Sequence, residues 1–308
     1  MKAVRVHQFG GIDRMAIEET AREQPGEGEV LVRVGAAGVG PWDAWVRAGQ
    51  SALQQKLPLT LGSDIAGVVE NVGPGVTGIA VGDAVYGVTN AEFTGGYSEY
   101  AVAKASMIAK KPAKATDVDA ASIPVVATTA WEMLFDHAKV TSGQRVLVHG
   151  AAGNVGAFAL QLAKRAGATV IATAFASDVD FVRSLGADEI IDVQSTNFED
   201  RVKAVDVVID TVGGETLARS FSVLAHGGVL VSSAAKPDEK RAAECGVKGI
   251  YFIVDVNTRV LRELAKLVDE GKLTLNVGDV LPLAEARLAH EMLAGKPHKR
   301  GKIVLTVG

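Results

Sequence analysis

The stretch "RVLVHGAAGNVGAFALQLAKRAGATVIATA", Arg145 to Ala174, places Gly150, Gly153 and Gly156 at every third position between an apolar run and a helical pattern. "RVLVHG" is a short, continuously apolar run, as expected of a strand buried on both faces. After the glycines, Val155, Phe158, Ala159, Leu162, Ala163 and Ala166 recur at helical spacing, with Lys164 and Arg165 in the last turn and Gly167 placed to cap it. "TVIATA" then reads as a second strand. A turn between strand and helix needs glycine where a phosphate must come close to backbone N–H groups, and the helix N-terminus adds its positive dipole end. Gly153 and Ala152 leave that approach open, with Asn154 and Val155 beside them, and Gly156 lets the helix pack tightly on the sheet. The turn is read as the seat of a dinucleotide's pyrophosphate.

Downstream, "EIIDV", "VDVVIDTVG", "GGVLVSSA" and "GIYFIV" repeat the continuous apolar pattern, and most spacers between them read as helix. Alternating strand and helix predicts a parallel, doubly wound sheet of six strands, an α/β fold. The tip of the second strand, Ala174-Phe175 with Ser177 just beyond, lacks the acid that would accept both adenine-ribose hydroxyls. That favours NADPH, although no Lys or Arg stands at the tip and Asp178 and Asp180 lie close by. NADH is the other candidate.

The first third of the chain has another rhythm. "EVLVRVGAAGV" (Glu29 to Val39), "DIAGVVENVG" (Asp64 to Gly73) and "GDAVYGV" (Gly82 to Val88) are β-branched runs bounded by Gly or Pro, which predicts a compact antiparallel barrel or sandwich. Near the end, Val260, Leu261, Leu264, Leu267 and Val268 form an amphipathic stripe stopped by Gly271. The closing "RGKIVLTVG" reads as a strand of the first domain, since the parallel sheet already has its six. A chain of 308 residues with 48% hydrophobic and 22% charged residues holds roughly two globular domains. A net charge of -4 provides no basic stripe for nucleic acid. The single Cys245 excludes an internal disulfide or a four-cysteine zinc lobe. "MKAVRVHQFGG" lacks the apolar core of a signal peptide and no run spans a bilayer, so a cytoplasmic protein without a membrane partner is expected.

With these segments read, the chain resembles the medium-chain dehydrogenase/reductase superfamily, and within it the zinc-free quinone oxidoreductase and enone reductase group. The resemblance rests on "GEVLVRVGAAGVGPWDAWVRAG", "LPLTLGSDIAGVVENVGPGV", "GGYSEYAVA", the glycine turn, "VDVVIDTVGG" and "RGKIVL". It implies a discontinuous GroES-like β-barrel catalytic domain, residues 1–122 and 272–308, and a Rossmann doubly wound parallel sheet, residues 123–271. It also implies cofactor contacts by Thr129, Gly150, Ala152, Gly153, Asn154, Val155, Gly156, Ser177, Thr211, Val212, Gly213, Ser232, Ala234, Phe252, Val254 and Lys302. Lys302 is expected to reach the pyrophosphate or the cleft mouth, a plain surface lysine being the alternative.

Zinc-dependent relatives carry Cys where Gly40 stands and Gly-His-Glu where Gly62, Ser63 and Asp64 stand, so no metal is expected. Zinc-free members read Asn-Pro-Val-Asp-x-Tyr-x-Arg-x-Gly where this chain has "GPWDAWVRAG"; Pro41, Asp43, Arg47 and Gly49 match, while Gly40, Trp42 and Trp45 depart. Pro41, Trp42, Trp45, Asp64 and Tyr97 are the candidates for the substrate cleft, the two indoles suiting a flat apolar ring. Tyr97 and Tyr100 are weighed as proton donors, and no general acid is assigned. The expected partner is a small, apolar, electron-poor acceptor, a quinone or the β-carbon of an activated alkene. The resemblance also implies a homodimer, with "GIYFIV" as the pairing edge. The rival reading is an NADPH-binding redox sensor or interaction protein with little turnover.

Overall fold

The apolar runs of the second half pair as one six-stranded sheet, and every pairing in it is parallel. Across the sheet the strands are Glu189–Asp192, Thr169–Ala174, Arg145–His149, Val205–Asp210, Leu224–Ser232 and Lys248–Tyr251. The chain therefore starts in the middle, winds to one edge, returns past its start and winds to the other edge. Val146, Leu147, Val148, Val207, Val208 and Ile209 in the two central strands are buried, as continuous apolar runs require in a sheet covered on both faces. Between Arg145–His149 and Val205–Asp210 the winding reverses, the switch point at which such sheets bind ligands. The last strand stops at Tyr251, short of the expected Val254.

The computed structural model describes residues 1–308, in two compact units: Val126–Val254, which carries this sheet, and Met1–Val125 with Asp255–Gly308. In the second of these, the strands run in the order Val277–Pro282, Lys302–Thr306, Glu29–Val39, Asp64–Val72, Ala84–Val88 and Ile108–Lys110, with Tyr100–Lys104 also paired to Glu29–Val39. All of these pairs are antiparallel except that between Val277–Pro282 and Lys302–Thr306. A three-stranded sheet, Met15–Glu19, Lys2–Val6 and Leu59–Thr60, completes the strand set. One core of mostly β-branched residues, with Val32, Val34, Ile65, Val85 and Ile303 among them, lies under these strands. The closing strand belongs here, paired with Glu29–Val39.

The return to this unit comes at Asp255 and not at residue 272. The helix Thr258–Asp269, expected with the parallel sheet, docks instead on the barrel. Its buried stripe is Val260, Leu261, Leu264, Ala265 and Val268, and Leu267 of the expected stripe is only partly covered. Thr258 Oγ1 donates to Ile108 O at 2.7 Å, and the buried Tyr86 hydroxyl donates to Leu261 O at 2.6 Å. An amphipathic stripe shows that a helix covers a core but not which one. Removing the Tyr86 hydroxyl leaves the Leu261 carbonyl without that donor, so Tyr86→Phe is expected to cost about 1–2 kcal/mol in urea denaturation. It should also speed amide exchange across 258–269; unchanged exchange there would mean the helix is not held by this bond.

Candidate cofactor turn and buried charge cluster

The glycine turn joins Arg145–His149 to the helix Asn154–Arg165. Gly150 sits at φ +67, and a Cβ there would lie 2.6 Å from Thr211 Oγ1. A Cβ at Gly156 would come within 2.2 Å of the Gly150 carbonyl oxygen, so helix and turn touch backbone to backbone. Gly153 is the opposite case: it is exposed, and a Cβ there would meet only Gly150 O, at 3.2 Å. The first intrahelical bond is Ala157 N to Gly153 O, so the N–H groups of Asn154, Val155 and Gly156 have no acceptor within the helix. Ala152, Asn154 and Val155 are partly exposed beside Gly153. This is an open cradle of backbone donors at a helix N-terminus, and a pyrophosphate fits it.

Around it the carboxyl ends of the strands are wired together. The Thr211 hydroxyl donates to His149 O at 2.8 Å. Asp210, fully buried at the end of its strand, accepts from Val212 N at 3.1 Å, from Gly213 N at 3.0 Å and from the Ser232 hydroxyl at 2.6 Å. Ser232 Oγ in turn accepts from Ala234 N and Ala235 N, both at 3.1 Å. The residues expected at the cofactor, Thr211 to Gly213 and Ser232 to Ala234, are thus organised by one carboxylate that the sequence reading passed over. Its signal was available: an acid closing the apolar run "VDVVID". Thr129 is buried in the helix Pro124–Trp131, and Phe252 packs its ring 4.4 Å from that of His137. Ser177 is exposed in the single turn Ala176–Asp178, next to Phe175, which is 55% exposed.

Beneath the turn lies a second buried set. His149 is flanked by Thr173 Oγ1 at 3.0 Å and Ser220 Oγ at 3.1 Å, and its ring meets Phe198 edge-on at 4.6 Å. Burial pushes its pKa down to about 4, with Asp210 and Glu199 pulling the other way. It is neutral at physiological pH.

In the barrel unit the substrate candidates sort differently from expectation. Pro41, Trp42 and Trp45 lie on the helix Pro41–Ala48, entered through Pro41 and closed by Gly49 at φ +71. Trp45 is 52% exposed, three residues along the same helix face from the half-buried Trp42. A Cβ on Gly40 would lie 2.3 Å from the Trp42 ring, so the indole fills the space a side chain at 40 would take. Trp42 is held there by Ser63 Oγ, 3.2 Å from Nε1, and by Lys302 Nζ, 4.2 Å from the ring centroid.

Asp64 and Tyr97 are fully buried, with their polar groups engaged inside the protein. Asp64 is fully buried: one oxygen accepts from Val125 N at 3.1 Å, the other from Lys302 Nζ at 2.9 Å. Burial pushes its carboxyl pKa up, and the Lys302 ammonium pulls it back. Tyr97 is fully buried, fits only because Gly62 at φ +83 has no side chain, and donates to Asp43 Oδ2 at 2.9 Å. Its hydroxyl is not a wet proton donor. Lys302 is not a surface residue: its ammonium, 1% exposed, is paired with Asp64 and lies over the Trp42 ring. Tyr100 carries the Arg22 guanidinium over its ring at 3.6 Å.

Asp43 was matched only as part of a pattern, yet it is the centre of this cluster. Its Oδ2 accepts from Gly40 N at 2.8 Å as well as from Tyr97, while Oδ1 is buried with no partner. Burial raises its pKa to about 7 against the opposing Gly40 N–H, Lys302 and Tyr97. Nearby, His290 accepts from Arg47 Nη1 at 2.6 Å through Nδ1, and burial with the Arg47 charge lowers its pKa to about 3. No group of three or more His, Cys, Asp or Glu side chains is arranged to hold a metal ion. No helix is long and apolar enough to cross a membrane.

Residues 26–113 match the family described as alcohol dehydrogenase GroES-like domain, and residues 185–305 match that described as zinc-binding dehydrogenase. The human quinone oxidoreductase is 31% identical over 99% of this chain and 97% of its own. The solved quinone oxidoreductase of Coxiella burnetii is 33% identical, with a TM-score of 0.92 over 100% of this chain and 99% of that one. A mycobacterial protein solved as a complex with NADPH is 33% identical, with a TM-score of 0.87 over 99% and 100% of the two chains. The chain belongs to the medium-chain dehydrogenase/reductase superfamily, in its quinone oxidoreductase group, and is an oxidoreductase.

Gly156→Ala forces helix and turn apart against backbone atoms and is expected to cost about 1–3 kcal/mol in urea denaturation; a wild-type midpoint would contradict the backbone contact. Asp43 keeps its proton in the folded state from its ordinary 3.8 up to about 7, so its contribution to stability falls as pH rises through that window. His149 and His290, at about 4 and about 3 against an ordinary 6.5, contribute the opposite slope. Asp43→Asn is therefore expected to make unfolding free energy rise more steeply from about pH 5 to 6.5, by about 1 kcal/mol per pH unit. An unchanged slope would show that Asp43 titrates as an ordinary carboxylate.

Proposed function

We propose that the chain is a zinc-independent, NAD(P)H-dependent oxidoreductase that passes hydride to a quinone or to an activated α,β-unsaturated carbonyl compound. The observation that carries this reading is the open cradle at Gly153, flanked by unpaired helix N–H groups and by the loops that Asp210 organises. When bound, the nicotinamide supplies the hydride. The chain supplies binding and orientation: backbone donors for the pyrophosphate, and the 211–213 and 232–235 loops held rigid beside it. The NADPH complex of the mycobacterial relative supports a nicotinamide cofactor. NADPH is the preferred form, because the tip at Ala174-Phe175 offers no acid to a ribose 2′-hydroxyl.

Zinc independence is argued from the donor set. In zinc-dependent relatives the corresponding positions hold thiolate and imidazole. Here the Trp42 indole fills the space beside Gly40, and both oxygens of Asp64 are already engaged. An acceptor reduced without Lewis-acid help must already be electron-poor, which selects quinones and enones. The quinone oxidoreductases of human and Coxiella burnetii support the same class. The protein is read as a cytoplasmic homodimer, pairing through the edge strand Lys248–Tyr251, which ends on the exposed Tyr251 with the exposed Ile253 two residues beyond, and without nucleic acid or membrane partners. Light scattering should give twice the 32.0 kDa chain mass.

The deciding assay follows absorbance of NADPH and of NADH, separately, against a panel of quinones and short enones, with and without a metal chelator. Turnover with NADPH preferred and chelator without effect is expected. Oxidation of neither cofactor, despite tight binding, would replace this reading by that of a redox sensor. Gly153→Ala, whose Cβ would press on the Gly150 carbonyl oxygen at 3.2 Å, is expected to lower the melting temperature less than Gly156→Ala and to weaken nucleotide binding about tenfold, since the Cβ fills the cradle.

A further inference from the structure

The glycine turn is fastened to both neighbouring strands. Thr211 Oγ1 donates to His149 O at 2.8 Å on one side. On the other, Thr173 contributes both its oxygens: its carbonyl accepts from Ala151 N at 3.1 Å, and its hydroxyl oxygen accepts from Gly150 N at 3.3 Å. The same hydroxyl lies 3.0 Å from His149 Nδ1. His149 and Ser220 are fully buried and Thr173 is at 3% exposure, while Gly150 and Thr211 are partly exposed.

The direction of every bond in this set follows from counting protons. Ser220 has one hydroxyl proton and gives it to Thr216 O at 2.6 Å. Ser220 Oγ can therefore only accept from His149, which places the ring proton on Nε2. The ring is neutral, so Nδ1 is an acceptor and takes the Thr173 hydroxyl proton. With its proton directed at His149, the Thr173 oxygen presents a lone pair to Gly150 N–H. The Gly150 carbonyl accepts from Gly153 N at 2.9 Å, so the orientation of the Gly150 peptide carries over to the residue at the mouth of the cradle. Ser220, His149, Thr173, Gly150 and Gly153 form one relay of hydrogen bonds.

We infer that His149 and Thr173 are positioning residues for the phosphate-binding turn: through the Thr173 hydroxyl, the buried imidazole sets the orientation of the Gly150 peptide and hence of the donors around Gly153. The inference rests on the nicotinamide-nucleotide reading of that turn. It requires a hydroxyl at 173 and a hydrogen-bond acceptor at the position of Nδ1, and it does not require threonine or histidine as such.

The test is calorimetric titration of NADPH and of NADH into the full chain and its variants, with thermal melts alongside. Thr173→Val keeps the side-chain shape and deletes the hydroxyl, so nucleotide affinity is expected to fall about tenfold. Thr173→Ser keeps the hydroxyl and should bind within about twofold of wild type. His149→Asn places an amide oxygen where Nδ1 stood and should bind close to wild type, whereas His149→Leu should bind as weakly as Thr173→Val. A role in packing alone would not be rescued by serine and asparagine, which are smaller than the residues they replace. Wild-type affinity in Thr173→Val, or no rescue by Thr173→Ser, overturns the inference. Should Thr173→Val fail to fold, the pair His149→Asn and His149→Leu decides it on the same criterion. A wild-type chain that binds neither nucleotide overturns the nicotinamide reading itself, a result distinct from equal binding by all variants.

Discussion

The helix Asn154–Arg165 can lie on its sheet only because residue 156 has no side chain. A Cβ there would come within 2.2 Å of the Gly150 carbonyl oxygen, far inside any van der Waals contact. That approach aligns the helix N-terminus with the end of Arg145–His149, leaving Asn154, Val155 and Gly156 N–H groups unpaired around an exposed Gly153. It also decides where the chemistry can be. The turn lies where the sheet's winding reverses, so it can serve one ligand together with the loops across that reversal, after Val205–Asp210 and after Leu224–Ser232.

The barrel unit carries a different constraint, charge without water. Asp43 and Asp64 are both fully buried with one ammonium, that of Lys302, in their field. Two carboxylates and one cation cannot all stay charged cheaply in a low-dielectric interior. Asp64 has the close partner at 2.9 Å and the Val125 N–H; Asp43 has only neutral donors and accordingly holds its proton to about pH 7. The ammonium also supports the Trp42 indole, which lies in the space left by Gly40. Gly40 and Trp42, the two departures from the family pattern at the start of this helix, are therefore one feature: the first makes room for the second.

The Rossmann half was legible because a strand buried on both faces must be apolar throughout, and six such runs were there to read. The turn was legible because glycine is required where backbone meets backbone or phosphate. The barrel's strands were visible, but their pairing partners lie far apart in sequence, as Lys302–Thr306 with Glu29–Val39 shows. The unit that the helix Thr258–Asp269 joins is not legible, because its stripe fits any apolar surface. Burial is likewise absent from residue type. Asp64, Tyr97 and Lys302 have the chemistry of an active site, and only the structure shows that each has spent its polar atoms on another.

The two buried polar sets differ in what they can contribute. Around His149 every proton has an acceptor, from Ser220 through Thr173 to Gly150, and a fully satisfied network in a dry interior admits one arrangement. Such a set adds little net stability, since its members were also hydrogen-bonded in water, but it fixes an orientation. The barrel set is incomplete: Asp43 Oδ1 and His290 Nε2 are buried without partners. Each costs on the order of 1–3 kcal/mol, and a fold that retains both puts more charge and polarity there than packing alone would select. The satisfied set lies behind the turn that must present its donors in one geometry. The unsatisfied one lies beside Tyr97 and the helix that carries Trp42 and Trp45. The satisfied set fixes the turn behind which it lies, and the unsatisfied set leaves buried polarity uncompensated beside the helix Pro41–Ala48.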